Sequence, residues 1–191
     1  SHLLSLATGA CVHFAESLEK LPENLREVRP HIFLGVPRVW EKIQAGMQAA
    51  GAQASPLRRR IAAWARGVDL AGGYADQVGR PRPWNYGLAD HLVFSKVRAR
   101  LGFDDIRMLV VSAAPIAKET LDYFQSLALP IMEVYGMSEC TGPTTMSIPR
   151  RYRLGRAGYA IPGTELKIAE DGEILMRGPH VFKGYYKNEE A

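Results

Sequence analysis

The spacing of apolar positions changes several times along the chain, and each change marks an element. LPENLREV (residues 21–28) repeats its apolar residues at helical spacing, with Pro22 tolerated in the first turn, and predicts a short amphipathic helix. HIFLGV (31–36) is an apolar run with proline on both flanks, which predicts a strand buried on both faces. PRVWEKIQAGMQAA (37–50) opens a helix with Pro37 at its first position, and GAQAS (51–55) breaks it. PLRRRIAAWARGVDLAGG (56–73) predicts a helix with Leu57, Ile61 and Trp64 on its apolar side and arginines opposite. A basic, proline-rich connection (77–85) leads to a helix over LADHLVFSKVRARLG (88–102), closed by Gly102. Near the start, LLSLA (3–7) has the look of the end of a buried helix, and ACVHFA (10–15) has strand character.

The strongest pattern follows. IRMLVVSAAP (106–115) predicts a strand and a tight turn, IAKETLDYFQSL (116–127) a helix, and PIMEVYG (130–136) a second buried strand. Strand, helix and parallel strand form a βαβ unit. The fold class is therefore α/β, a mainly parallel sheet with flanking helices. After Pro149 the texture changes. TELKIAEDGEILMRG (164–178) carries two alternating runs joined by EDG, a hairpin signal, so a small β-rich unit is expected at the C-terminal end. The division expected is an α/β part over 1–149 and the start of a β-rich part over 150–191.

Composition narrows the function classes. The 191 residues include 47% apolar and 23% charged side chains, ordinary for a globular protein, and suffice for one sizeable core. The net charge of +4 is mild, so the basic clusters at 58–60, 79–83 and 149–156 are expected to be solvated faces, and no nucleic acid is expected as a partner. Two cysteines, far apart, form no CxxC pair, and no HExxH is present, which argues against a structural zinc site. Two thiols without a framework suit a reducing, cytoplasmic setting. None of the five histidines has a partner at metal or triad spacing.

Candidate chemistry concentrates at the ends of the two central strands. Open parallel sheets place ligands beyond the carboxyl ends of their strands. There SAAP (112–115) offers small residues against a flat ligand, and YGMSECTGP (135–143) offers a ring, a hydroxyl and a carboxylate. Glu139 suits Mg²⁺ beside phosphates. The residues alone leave two readings open: a nucleotide site, or a turn in which Glu139 only favours a nearby helix N-terminus. P-loop and dinucleotide motifs are absent.

YGMSECTGP resembles the YGxTE-type core motif of the adenylate-forming superfamily, which includes acyl-CoA synthetases, peptide-synthetase adenylation domains and luciferases. Ser138 stands where that motif usually has Thr. VSAAP (111–115) resembles the family's adenine-side loop, DGEILMRGPHVFKGYYKN (171–188) its GELxxxGxxxxxGYxN motif, and FLGVPRVWEKI (33–43) a stretch seen in long-chain acyl-CoA synthetases, including bubblegum-like relatives. The resemblance implies that Ser112, Ala113, Ala114, Pro115, Tyr135, Gly136, Met137 and Ser138 bind the nucleotide. Tyr135 would lie against adenine, with Ala113, Ala114 and Pro115 on the other side of the base. Ser138 would contact the α-phosphate, Glu139 would hold Mg²⁺, and these two would be the catalytic residues. Gly136 would permit close backbone approach. The implied activity is long-chain fatty acid–CoA ligation: ATP activates a fatty acid to acyl-AMP, and CoA accepts the acyl group.

The family's upstream phosphate loop, its ribose-binding Asp, hinge and C-terminal catalytic Lys have no counterpart here. The chain is therefore expected to be the middle of a longer protein and not competent alone. Val134 stands where many relatives have Gly beside the acyl tunnel, which puts chain-length preference in question. Residues 51–84 match no motif; a basic face there would favour peripheral contact with anionic lipid at the inner face of a membrane. Two other readings stay open: adenylation that loads a carrier protein, and a non-catalytic AMP-binding domain.

Overall fold

The computed structural model describes residues 8–149 and 151–188. Helix α1 (Leu21–Val28) buries Leu21 and Leu25 and ends on Arg29, whose left-handed backbone (φ 47°) returns an N–H to Leu25 O. Strand β1 (Ile32–Gly35) leads through extended Val36 into α2 (Pro37–Ala52), with Pro37 supplying the fixed φ of a first helical position. Helix α3 (Pro56–Gln77) is capped by the Ser55 hydroxyl, which accepts from Arg58 N. Helix α4 (Tyr86–Ala89) passes through one π-helical stretch, Asp90–Phe94, into α5 (Ser95–Leu101).

Gly102 ends α5 at φ +77°, and a Cβ there would stand 2.3 Å from the Leu25 carbonyl oxygen. Only glycine meets both demands, the left-handed turn and the close approach to α1. The predicted closing glycine thus also sets how α5 lies on α1.

Strands β2 (Met108–Val111) and β3 (Ile131–Met137) flank α6 (Lys118–Gln125). β1, β2 and β3 pair in parallel, as the apolar runs predict. The chain then turns back. β4 (Gly142–Met146) and β5 (Tyr159–Ala160) add antiparallel to β3, giving one five-stranded sheet in the order β1-β2-β3-β4-β5. β6 (Glu165–Ile168) and β7 (Ile174–Arg177) form the predicted hairpin, in register from Glu165↔Arg177 to Ile168↔Ile174.

The core lies between the sheet and helices α2 and α6. Trp40 is fully buried and meets Phe33 and Phe124 edge-on, at 5.1 and 5.2 Å between ring centres. Its indole N–H donates to Gly35 O at 3.1 Å, so the one polar atom of the ring is satisfied. Leu121, Phe103, Leu109, Val111 and Ile131 complete the cluster.

Four expectations fail. Residues 10–15 form no strand. β1 is not buried on both faces: Ile32 and Leu34 are 56% and 62% exposed, because β1 is an edge strand whose packed face carries Phe33 and Gly35. The apolar side predicted for α3 points outward, with Leu57 67% and Trp64 39% exposed. The buried side is instead Ala65, Val68, Asp69, Gly72 and Gly73, small residues that let the helix sit close to its neighbours. The break predicted over 51–55 also starts later, since α2 runs through Ala52. LLSLA (3–7) lies outside the described residues. No helix among the described residues is long and apolar enough to cross a membrane.

Candidate functional site

β2 and β3 run side by side, with Val111 opposite Glu133, so the loops at their carboxyl ends are neighbours. From β2 comes Ser112–Pro115, in which Ala113, Ala114 and Pro115 are exposed and Ser112 is half-buried. Ala113 holds φ +77°, a left-handed conformation that costs a non-glycine residue on the order of 1 kcal/mol or more. The loop therefore turns sharply with small side chains outward, a surface that a flat ring can approach.

From β3 comes the second loop, which is the tip of a β-hairpin. Tyr135 pairs with Thr145, the register shifts, and Gly136 pairs with Pro143. A Cβ on Gly136 would lie 1.9 Å from the Gly142 carbonyl oxygen. The close backbone approach expected at Gly136 is made by its own hairpin partner. Beyond Met137, Ser138–Cys140 make one 3₁₀ turn, closed by Thr141 at φ 57° with its N–H on Ser138 O at 3.0 Å. The turn leaves Met137 and the Ser138 side chain exposed, half-exposes Glu139 and buries Cys140. The Tyr135 side chain is half-buried one strand position before Gly136.

A segment from the C-terminal part straps this turn in place. The Glu139 backbone oxygen accepts from Phe182 N at 2.7 Å, and the Thr141 hydroxyl donates to His180 O at 2.7 Å. The Tyr185 hydroxyl donates to Glu139 Oε1 at 2.5 Å. Cys140 Sγ lies 3.6 Å from Met176 Sδ. The Tyr185 hydrogen bond is the main cause that holds the Glu139 carboxyl below its ordinary range, and the same bond pushes the Tyr185 phenol up. Glu139 thus stands ionised at neutral pH. Tyr185 is not among the site residues expected from sequence; the aromatic-rich GYYKN run is the local signal for it.

Behind the loops, Glu133 ties the sheet to the following segment. Its Oε2 accepts from Gly155 N at 2.6 Å and Arg156 N at 3.1 Å. Burial raises its carboxyl, and the two N–H donors act against that shift.

The donor set fits magnesium with a nucleotide. No group of three His, Cys, Asp or Glu side chains able to hold a metal exists among the described residues. A single ionised carboxylate is what Mg²⁺ uses when waters and phosphate oxygens fill its other positions.

The AMP-binding enzyme family matches residues 1–186. The chain belongs to the AMP-binding enzyme family. Among relatives in this AMP-binding family, the chain is 44% identical over 196 residues to a long-chain-fatty-acid–CoA ligase, ACSBG2, of Xenopus laevis, covering 98% of this chain and 26% of that protein. It is 46% identical to the ligase of the same name from Gallus gallus, over the same shares. The chain thus spans about a quarter of the length of the curated relatives it matches. Among solved structures, the o-succinylbenzoate CoA synthetase MenE of Bacillus subtilis, in complex with its acyl-adenylate intermediate, superposes with a TM-score of 0.61 at 16% identity. That match covers 99% of this chain and 31% of that one. At this identity the likeness speaks to the fold: the α/β architecture with its mostly parallel sheet is that of adenylate-forming enzymes.

Proposed function

We propose that this chain forms the adenosine- and magnesium-facing part of a long-chain fatty acid–CoA ligase. The observation that carries the reading is the juxtaposition of the Ser112–Pro115 loop with the Tyr135–Glu139 hairpin tip at the ends of adjacent parallel strands. Adenine lies between the Ala113–Pro115 surface and the Tyr135 ring. Gly136 and Met137 carry the backbone past the ribose, and the exposed Ser138 hydroxyl donates to an α-phosphate oxygen. Glu139 holds Mg²⁺.

In the reaction, a fatty carboxylate oxygen attacks the α-phosphorus of ATP and pyrophosphate leaves, giving acyl-AMP. The CoA sulfur then attacks the acyl carbon, its proton is lost, and AMP leaves. Magnesium supplies charge neutralisation at the phosphates. Ser138 supplies an aligned donor as negative charge builds on the phosphoryl oxygens. Relatives named CoA ligases support CoA over a carrier protein as acceptor.

The reading extends to the enzyme's location, in the cytoplasm with peripheral contact at a membrane. Its support is the outward side of α3, where Leu57 and Trp64 stand exposed beside exposed Arg58, Arg59 and Arg60. Apolar side chains flanked by cations suit an anionic lipid surface, from which long-chain acids are drawn.

The direct test is acyl-CoA formation by the full-length protein across a chain-length series. Production confined to long-chain acids supports the reading. Transfer to a carrier protein with no CoA product overturns the choice of acceptor.

A further inference from the structure

Tyr185 lies 46 residues beyond Glu139 in sequence, yet its hydroxyl meets that carboxylate at 2.5 Å. We propose that Tyr185 is the positioning residue of the metal site: it holds one oxygen of Glu139 and thereby presents the other to Mg²⁺. This rests on the reading of Glu139 as the metal-binding carboxylate.

The geometry argues for a purpose beyond packing. Tyr185 is 49% exposed, so burial does not hold it where it is. What fixes it is Phe182, whose ring stands edge-on at 4.8 Å and 84°. The backbone of that same Phe182 grips the other end of the glutamate, donating to Glu139 O at 2.7 Å. One short segment therefore clamps Glu139 at both its main chain and its side chain.

A half-exposed glutamate otherwise samples many rotamers, and ordering it on binding costs free energy. A carboxylate has two oxygens, and the neutral phenol can donate to only one of them. A hydroxyl on Oε1 leaves Oε2 for a cation in a fixed direction. This is how donors behind a metal ligand act: they orient it without touching the ion. Serving a single oxygen suits magnesium, which keeps waters and phosphate oxygens around it.

The test uses the full-length protein with Mn²⁺ as the probe, in the presence of a non-hydrolysable ATP analogue. Free Mn²⁺ is read by electron paramagnetic resonance, a readout independent of turnover. Three variants are compared: Tyr185→Phe, Glu139→Gln and Phe182→Leu, each checked for an unchanged thermal midpoint. Tyr185→Phe keeps the ring and removes only the hydroxyl, and is expected to weaken Mn²⁺ binding about tenfold. Glu139→Gln is expected to weaken it at least as much. Phe182→Leu keeps the hydroxyl but loosens the ring that fixes Tyr185, and is expected to weaken Mn²⁺ binding less than Tyr185→Phe does.

Wild-type affinity in Tyr185→Phe, with loss in Glu139→Gln, overturns the role of Tyr185 and leaves the metal reading standing. Tighter binding in Tyr185→Phe overturns it too, since the hydroxyl would then compete with the ion. Equal losses in Tyr185→Phe and Phe182→Leu assign the effect to packing of the segment. Unchanged affinity in Glu139→Gln removes the metal reading itself.

Discussion

Asp69 accepts the backbone N–H of Ala128 at 2.8 Å, joining α3 to the turn after α6 across 59 residues of sequence. Ala128 is in the left-handed region at φ 57°, so this bond stabilises a turn that its residue type does not favour. Asp69 is 2% exposed, and burial pushes its carboxyl up to about 6, although the Ala128 N–H, Arg82, Gln125 and Tyr86 all act against the shift.

The sign of the pH effect follows. Between the ordinary aspartate value of 3.8 and about 6, the folded state binds more protons than the unfolded one. Asp69 therefore withdraws stability as pH rises through that window, by up to about 3 kcal/mol once it is fully ionised. Asp69→Asn keeps an oxygen for Ala128. Urea midpoints of wild type minus variant are expected to fall between pH 4 and 6 and then level off. A difference that is flat or rising in that window contradicts the assignment.

Gly136→Ala should break the hairpin that carries the motif. Its Cβ would meet the Gly142 carbonyl oxygen at 1.9 Å, and that oxygen belongs to backbone. A cost of about 3 kcal/mol or more is expected, read as a lowered thermal midpoint together with lost nucleotide binding. A variant as stable as wild type would show that the hairpin opens here without penalty.

Val134 is half-buried on β3, opposite Met146 and one residue before Tyr135. If the acyl chain passes this position, Val134→Gly widens the path. Relative kcat/KM is expected to move toward longer acids. An unchanged profile across acid lengths places the acyl path elsewhere.

The outward side of α3 should bind anionic vesicles. Replacing Arg58, Arg59 and Arg60 together by Gln is expected to abolish co-sedimentation with phosphatidylserine-containing vesicles at low salt, since each surface cation contributes about 1 kcal/mol. Trp64→Ala should weaken it on neutral and anionic vesicles alike. Equal binding of the triple variant and wild type removes the membrane reading of α3.

How much of this was legible in the sequence follows from the range of the interactions involved. MLVV and IMEV announce buried parallel strands, and Gly102 announces a helix end, because those signals are local. β4 was missed because GPTTM opens with Gly-Pro and lacks a long apolar run; its partner β3 makes it a strand. The α3 face was misjudged because Leu57, Ile61 and Trp64 form the bulkier stripe. Packing against α4 and α6 selected the side with Ala65, Gly72 and Gly73, where small residues allow close approach. The site loops were legible as motifs, and their adjacency followed from the βαβ pattern. The bond from Tyr185 to Glu139 was not, since no local spacing links residues that far apart.

ATP–pyrophosphate exchange by the full-length protein tests the central claim most directly. It should be run with acids from acetate to long-chain fatty acids, in wild type and in Glu139→Ala. The account predicts exchange that rises with acid length and falls at least a hundredfold, or about 3 kcal/mol, in the variant. No exchange with any acid, despite bound AMP, would contradict it, as would full exchange in Glu139→Ala.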